Sequence, residues 1–215
     1  MVDDAPLDMK SLRVHERLGG PTADSDYFGQ RDRVAEDGTF KLTNLIPDRY
    51  GVVVNGLPDG YYIKSIRVGE TEITYSGFEL RDGPPARIDV LVSPKAATVS
   101  GVAKIRDTDK TAAGATVVLV PSEKERAQIA EYYYHATTNQ FGRFEFKSVS
   151  PGEYTVYAWE DVESTAWMDP EFMKPLEGMG ESVTLGESDR ANVQVNLIPA
   201  ESEKDKATTT GKAQP

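Results

Sequence analysis

Residues 142–154 read GRFEFKSVSPGEY, and residues 38–50 read GTFKLTNLIPDRY. The two stretches align without gaps at an offset of 104, and their glycine, phenylalanine, proline and tyrosine coincide. A second pair, IDVLVSP at 88–94 and VQVNLIP at 193–199, matches at an offset of 105. Two separated blocks that share nearly one offset indicate an internal repeat. The sequence therefore predicts two copies of one module.

Each repeated block has the pattern of a β-strand followed by a turn. Residues 39–45 and 143–149 largely alternate polar and apolar side chains, which is the period of a half-buried strand. The glycine before each strand suits a tight turn, and the proline after it ends the hydrogen-bonded ladder. Two pairs of residues are therefore expected at equivalent inward positions: Phe40 with Phe144, and Tyr50 with Tyr154.

The rest of the chain contains further short strands and two interruptions. β-branched and aromatic residues predict strands at 50–54, 88–92, 97–105, 115–121, 132–138, 154–159 and 193–197. Residues 122–130 break this pattern as a short surface helix, in which a serine and a glutamate have the capping-box spacing. Residues 167–180 break it as a long loop with room for one helical turn at 169–172.

These elements predict an all-β fold of two tandem β-sandwich modules, prealbumin-like or Ig-like, with about seven strands each. Module 1 spans 1–94, with its N-terminal part the least defined, and module 2 spans 95–199. Residues 200–215 read AESEKDKATTTGKAQP, which lacks large apolar side chains. Such a segment cannot bury enough surface to offset its ordering entropy, so a disordered tail is expected there.

Composition excludes several classes of function. The 24 lysines and arginines against 35 aspartates and glutamates give a net charge of −11, which disfavours nucleic acids and anionic membranes as partners. Cysteine is absent and there are two histidines, so thiolate chemistry, disulfides and cysteine-ligated zinc are excluded, and no cofactor is expected. The chain has no signal-peptide pattern and no apolar run of membrane-spanning length.

The second copy carries a family motif. It comprises Gly101-Val102, then GATVVLVP at 114–121, then a block from Thr138 to Phe146, and finally VSPGEYTV at 149–156. This pattern resembles the carboxypeptidase regulatory-like family, whose transthyretin-like β-sandwich is also grouped with carbohydrate-binding-like folds. The resemblance covers about 96–199 well, whereas the first copy matches only from about 37 to 94. Its opening strand is sought in SLRV at 11–14, so the first module is expected to be truncated at its N-terminal end.

The resemblance implies an accessory role without catalysis. Domains of this family are typically non-catalytic modules beside peptidase domains or in bacterial surface proteins. It implies an exported, extracytoplasmic bacterial protein, present as a monomer or as part of a larger chain. No zinc-peptidase motif is present, because His15 and Glu16 lack a second histidine at ligand spacing.

Aromatic residues are the candidate ligand-binding groups. If 132–134 is a strand, Tyr133 lies in the core while Tyr132 and Tyr134 are exposed and could stack on a sugar ring or on a partner. The alternative is that this strand only collects core aromatics. Four further candidates are Trp159, which ends a core strand and is expected to pack, Trp167, which is favoured because it lies in a loop, and Tyr61 and Tyr62 in the corresponding region of the first copy.

Other clusters receive weaker interpretations. An acidic group could bind calcium or act in hydrolysis, but it lacks a calcium-loop spacing and fits a solvated face; its members are Glu160, Asp161, Glu163, Asp169 and Glu171. No catalytic or metal-binding residue is predicted. The leading hypothesis is a non-catalytic spacer or interaction module. The alternatives are a carbohydrate-binding module for neutral glycans, since the net charge opposes acidic sugars, and a calcium-dependent adhesin fragment.

Overall fold

The computed structural model describes residues 7–19, 32–81 and 87–200. The chain is built almost entirely of β-strands: β1 (Arg13–Leu18), β2 (Asp32–Arg33), β3 (Asp48–Asn55), β4 (Tyr62–Val68), β5 (Thr71–Glu72), β6 (Phe78–Leu80), β7 (Ile88–Ser93), β8 (Ala97–Lys104), β9 (Thr116–Pro121), β10 (Tyr134–Thr137), β11 (Arg143–Val149), β12 (Gly152–Trp159), β13 (Glu181–Leu185) and β14 (Arg190–Ile198). Helix α1 (Pro170–Met173) and the 3-10 helices Met9–Ser11, Arg126–Gln128, Ala130–Tyr132, Ala166–Met168 and Lys174–Leu176 complete it. The all-β prediction is confirmed.

The second half, residues 95–200, is a closed β-sandwich. One sheet has the order β10-β9-β12-β13, and the other has the order β14-β8-β11. A short parallel contact between β12 and β14 joins the sheets at one edge, where Ala158 pairs with Leu197 and Trp159 with Ile198. The core between the sheets contains fully buried residues such as Val99, Leu119 and Val156.

The first half, residues 7–94, repeats part of this arrangement. Its larger sheet has the order β2-β1-β3-β6, in which β1 pairs antiparallel with β3 from Leu18↔Tyr50 to Arg13↔Asn55. This order corresponds to β10-β9-β12-β13 in the second half. A smaller sheet has the order β5-β4-β7. The described strands pair only within their own half, and the division into modules at 94/95 stays a prediction.

The repeated block builds the same tyrosine anchor in both halves. Tyr50 and Tyr154 are buried, and each hydroxyl donates a hydrogen bond of 2.9 Å to the carbonyl oxygen four residues earlier, in Ile46 and in Ser150. The backbone of the turn is also repeated, because Asn44 and Ser148 both adopt a positive φ, of 60° and 55°. The sequence coincidence therefore corresponds to one local geometry, and the expectation that both tyrosines face inward is confirmed.

The predicted strand at 39–45 is wrong. This segment is irregular, whereas its counterpart β11 pairs with β8 from Arg143↔Val102 to Val149↔Ala97. In the first half no described strand occupies the place of β8, so the backbone of 39–45 has no ladder to join. Of the candidate opening strand at 11–14, only Arg13 and Val14 belong to a strand, and that strand is β1, the counterpart of β9.

The two predicted interruptions are both helical in the structure. Residues 122–130 contain the 3-10 helix Arg126–Gln128 in place of the predicted surface helix. The Ser122 N–H donates to the Glu153 carbonyl (2.9 Å) and so is not bound by Glu125, as a capping box requires. Two 3-10 helices follow instead, and the second takes Tyr132 out of the predicted strand, which begins at Tyr134. In the predicted loop, α1 provides the expected single turn, capped by the Asp169 carboxylate. The predicted disordered tail lies, beyond Ala200, outside the described residues.

We expect Phe144→Ala to cost about 3–5 kcal/mol of unfolding free energy, the range for a buried aromatic side chain. Phe144 is 5% exposed and packs on Phe146 at a centroid distance of 5.5 Å. Phe40 is only half-buried, so Phe40→Ala should cost less, about 1–2 kcal/mol. Urea unfolding measures both, with tryptophan fluorescence following the second half and far-UV circular dichroism following the whole chain. Equal costs would contradict the difference between the two halves.

Candidate functional site

A cleft of about 240 Å³ lies where the two halves meet. Strands β1, β3 and β4 form one wall, and residues 129–134 with 148–150 form the other. The cleft brings together four of the six aromatic residues predicted as ligand-binding: Tyr61, Tyr62, Tyr132 and Tyr134. The sequence repeat did not predict that these residues share one site, because their proximity depends on how the two halves pack against each other.

Tyr132 belongs to a clamp around Arg126. Its ring meets the ring of Tyr75 edge-on at 5.4 Å, and the Arg126 guanidinium lies 5.3 Å from the centre of both rings. Arg126 Nε donates to the Tyr75 hydroxyl (3.0 Å), and its Nη1 donates to the Pro151 carbonyl (2.5 Å). Burial, followed by the neighbouring Tyr75, raises the pKa of the Tyr132 hydroxyl. The cation therefore joins an aromatic residue of the first half to two segments of the second.

Tyr134 is held by the turn that follows β11. Its ring contacts Tyr154 edge-on at 6.2 Å, and its hydroxyl accepts a hydrogen bond from the Ser150 N–H (3.1 Å). Tyr133 turns the other way, and its hydroxyl donates to the Ala127 carbonyl (2.7 Å). The expected alternation of a core Tyr133 with exposed neighbours is wrong, since Tyr132, Tyr133 and Tyr134 are all half-buried.

Tyr61 and Tyr62 lie at the start of β4. Tyr61 is half-buried, whereas Tyr62 is buried and its hydroxyl donates to the Glu187 carboxylate of the second half (2.9 Å). Burial, with Glu187 next, raises the pKa of Tyr62. Two backbone-anchored contacts lie beside them: the Gly60 N–H donates to the Ser148 hydroxyl (2.9 Å), and the Ala96 N–H donates to the Gly60 carbonyl (3.0 Å).

An ion pair crosses the same cleft. Arg17 of β1 is buried and donates two hydrogen bonds to the Glu131 carboxylate. Burial lowers the pKa of Arg17. A guanidinium out of water is tolerated only when paired, so Glu131 offsets the desolvation of Arg17. Sequence reasoning missed this pair, as it missed Arg126, because the partners are separated by 114 residues.

The two predicted tryptophans are elsewhere and are covered. Trp159 and Trp167 are buried, with 3% and 7% of their surface exposed, and their rings lie 6.5 Å apart. They form a small cluster with Val118 and Tyr157, against which Met173 and other residues of the 167–180 segment pack. Trp159 packs as its strand position predicts. The expectation that Trp167 is accessible in a loop is wrong, because its side chain packs against Val118 and Trp159 of the sheet.

The acidic cluster lies on the surface. Its five carboxylates are exposed, and two of them have local structural contacts. Asp169 caps α1 by accepting from the Glu171 N–H (2.9 Å), and Glu160 accepts from the Ala200 N–H (3.2 Å). Within 7–19, 32–81 and 87–200, no group of three acidic or histidine side chains is placed to hold a metal ion.

Comparison with known proteins gives partial similarities. A family model described as polysaccharide lyase family 4, domain II, matches residues 97–163, within the second half. A candidate carbohydrate binding protein of Pseudomonas aeruginosa is 16% identical, with 47% of this chain and 88% of that chain covered and a TM-score of 0.33. The TIE protein of Bacillus anthracis is 13% identical, covering 90% and 31%, with a TM-score of 0.32. The major pilin subunit of Bacillus cereus is 11% identical, covering 89% and 60%, with a TM-score of 0.33.

These similarities are too partial or too distant for the function of the known proteins to be assigned to this chain. The chain spans about a third of the Bacillus anthracis protein, and its likeness to all three structures is too low to transfer a function. No curated protein matches the chain. The more specific resemblance to the carboxypeptidase regulatory-like family stays a prediction.

We expect the Glu187 carboxylate to have a pKa well below the ordinary value of a glutamate. Hydrogen bonds from Lys64 (2.6 Å) and Tyr62 hold the pKa of Glu187 at about 2, against an ordinary value of 4.5. Because the pKa is lowered in the folded state, these contacts stabilise the junction above about pH 4.5. They are lost progressively as the pH falls towards 2. Carbon-13 NMR of the side-chain carboxyl measures the midpoint directly.

Lys64→Ala should raise the pKa of Glu187 towards its ordinary value. Lys95→Ala is the matched control, since this lysine lies 3.5 Å from the same carboxylate and lowers its pKa least. A wild-type midpoint near 4.5, or equal shifts in the two variants, would contradict the assignment.

Proposed function

We propose that the chain is a non-catalytic β-sandwich accessory unit in which two modules are held together as one stiff spacer. The observation that carries the proposal is the Arg126 clamp, in which one cation is enclosed by Tyr75 of the first half and Tyr132 of the second. Glu123 neutralises that cation at 2.9 Å. Tyr132 therefore connects this clamp to the cleft, which it also lines.

Other contacts reinforce the clamp from different elements. Arg17 with Glu131, Gly60 with Ser148, and Tyr62 with Glu187 all connect the halves. The covalent connection is short as well, because β7 ends at residue 93 and β8 begins at residue 97. Domains in one chain commonly move relative to one another unless the contact between them is extensive. The distribution of links along the junction supports a fixed arrangement.

The proposed location is outside the cytoplasm of a bacterium, as part of an exported protein. This proposal rests on the resemblance of residues 96–199 to the carboxypeptidase regulatory-like family. No helix in the described part of the chain is long and apolar enough to cross a membrane.

Spin-label distances test the stiffness of the spacer. The chain has no cysteine, so Glu70→Cys and Lys110→Cys place one exposed label in each half of an otherwise native protein. We expect a narrow distance distribution, which Arg126→Ala broadens. Lys124→Ala is the control, because Lys124 is an exposed cation two residues away that is not part of the Arg126 clamp. A distribution already broad in the protein with Arg126 intact would contradict the proposal.

A second candidate function is binding of a neutral sugar in the cleft. Four tyrosines line it, and aromatic faces with hydroxyl groups suit a polyhydroxylated ring. Its volume of about 240 Å³ lies below the 300–1,000 Å³ typical of ligand pockets, so it would hold about one ring. The net charge of −11 favours uncharged sugars.

A glycan array separates the two functions. The spacer proposal predicts no binding of neutral glycans at millimolar concentration. Binding that Tyr61→Ala abolishes, and that Phe141→Ala preserves, would instead assign the cleft to carbohydrate. Phe141 is a suitable control because it is 61% exposed and does not line the cleft.

A further inference from the structure

The first half has a groove where the second half has a strand. In the second half β8 lies between β14 and β11, parallel to the first and antiparallel to the second. The repeat equates β14 with β7, and β11 with residues 39–45. Among the described residues no strand lies between β7 and residues 39–45. A groove of about 870 Å³ runs between these two segments. Phe40, Leu42, Phe78, Leu80 and Ile88 supply its apolar lining.

The two segments that flank the groove are less buried than their counterparts. Val195 of β14, beside β8, is fully buried, whereas its equivalent Val90 of β7 is half-exposed. Phe146 is 4% exposed, whereas its equivalent Leu42 is half-exposed. The described part of β7 also pairs with a neighbour on one side alone, β4. An apolar groove beside a free strand edge is the usual acceptor for an added β-strand.

The chain contains a second segment with the sequence pattern of β8. Residues 97–103 read ATVSGVA, and residues 207–213, outside the described part of the chain, read ATTTGKA. Positions 97, 99, 101 and 103 of β8 face the core and are buried. The corresponding residues of the second segment are Ala207, Thr209, Gly211 and Ala213, all small.

The shared glycine is the most selective part of this match. A Cβ on Gly101 would lie 2.6 Å from Cζ of Phe144 and 2.2 Å from the carbonyl oxygen of Val193. Glycine is therefore required where β8 crosses the phenylalanine of β11. Phe40 is the equivalent phenylalanine in the groove, and Gly211 is the residue of the second segment that matches Gly101 in sequence.

We propose that residues 207–213 of one molecule add as a β-strand to the groove of a second copy, parallel to β7 and antiparallel to 39–45. The source is a second copy because β14 runs parallel to β8, away from the junction between the halves. Residues 199–206 span at most about 29 Å. To reach the groove of its own molecule, the segment would have to return along the nine residues of β14, about 30 Å, and then along β7.

The association that follows is head-to-tail. The donor end of each molecule lies at the far end of its second half, and the acceptor groove lies in the first half, so the contact is heterologous and each molecule retains a free donor or acceptor. Main-chain hydrogen bonds supply the attraction, and the ordering of a free segment weakens it. Chains of molecules therefore form at high concentration and dissociate on dilution.

Sedimentation equilibrium of the full chain over a range of concentrations tests the proposal. We expect reversible association, and Gly211→Val should weaken it at least about tenfold, because a branched side chain meets Phe40. Lys212→Ala is the matched control at the neighbouring outward position and should associate like the wild type. A wild-type chain that stays monomeric to about 1 mM, or equal association of the two variants, would overturn the proposal.

A peptide of residues 204–215 provides a second test without the variants. It should bind one-to-one to a chain ending at Ala200, and a peptide of scrambled sequence should not. If the peptide binds the shortened chain while the full chain is strictly monomeric, the segment occupies its own groove, and the two-molecule proposal is wrong. If it binds neither chain, the match between 97–103 and 207–213 has no structural meaning and the proposal fails.

Discussion

The pairing of β8 with two neighbours is the constraint on which the architecture depends. A strand inside a sandwich must satisfy its backbone N–H and carbonyl groups, and β8 does this for β11 on one side and for β14 on the other. With that strand in place the second half closes around a core of fully buried side chains. Without a described counterpart the first half keeps the tyrosine anchor and the β1–β3 ladder, but 39–45 stays irregular and its Phe40 and Leu42 are only partly buried.

The junction between the halves explains why polar and aromatic side chains collect there. Arg17 and Arg126 are both largely removed from water, and each is matched by a carboxylate, Glu131 or Glu123. A buried cation without such a partner would be strongly destabilising. Glu131 lies 114 residues from Arg17, so that pair forms only when the halves are in their final arrangement. Glu123 is three residues from Arg126, and it is the contact of Arg126 with Tyr75 of the first half that depends on the arrangement. These contacts are the physical reason for proposing first that the junction holds the two halves together, and only second that the cleft binds a ligand.

Local patterns in the sequence were sufficient for features that depend on neighbours along the chain. The block from glycine to tyrosine predicted the turns and the inward tyrosines correctly, because their hydrogen bonds join residues four apart. Features that depend on distant partners were missed. The alternation in 39–45 is that of a strand, but a strand needs an adjacent one. Trp167 was expected to be accessible because it lies between strands, yet Trp159 and Val118 cover it.

Hydrogen exchange of the dilute, monomeric chain tests most directly the claim that pairing with β8 is what orders the neighbouring segment. It measures the backbone hydrogen bonding of each half residue by residue. Because no described strand of the first half takes the place of β8, amides of 143–149 are expected to exchange at least about a hundredfold more slowly than those of 39–45. Equal protection of the two segments in the monomer would contradict the claim, since it would mean that 39–45 is already paired within its own half.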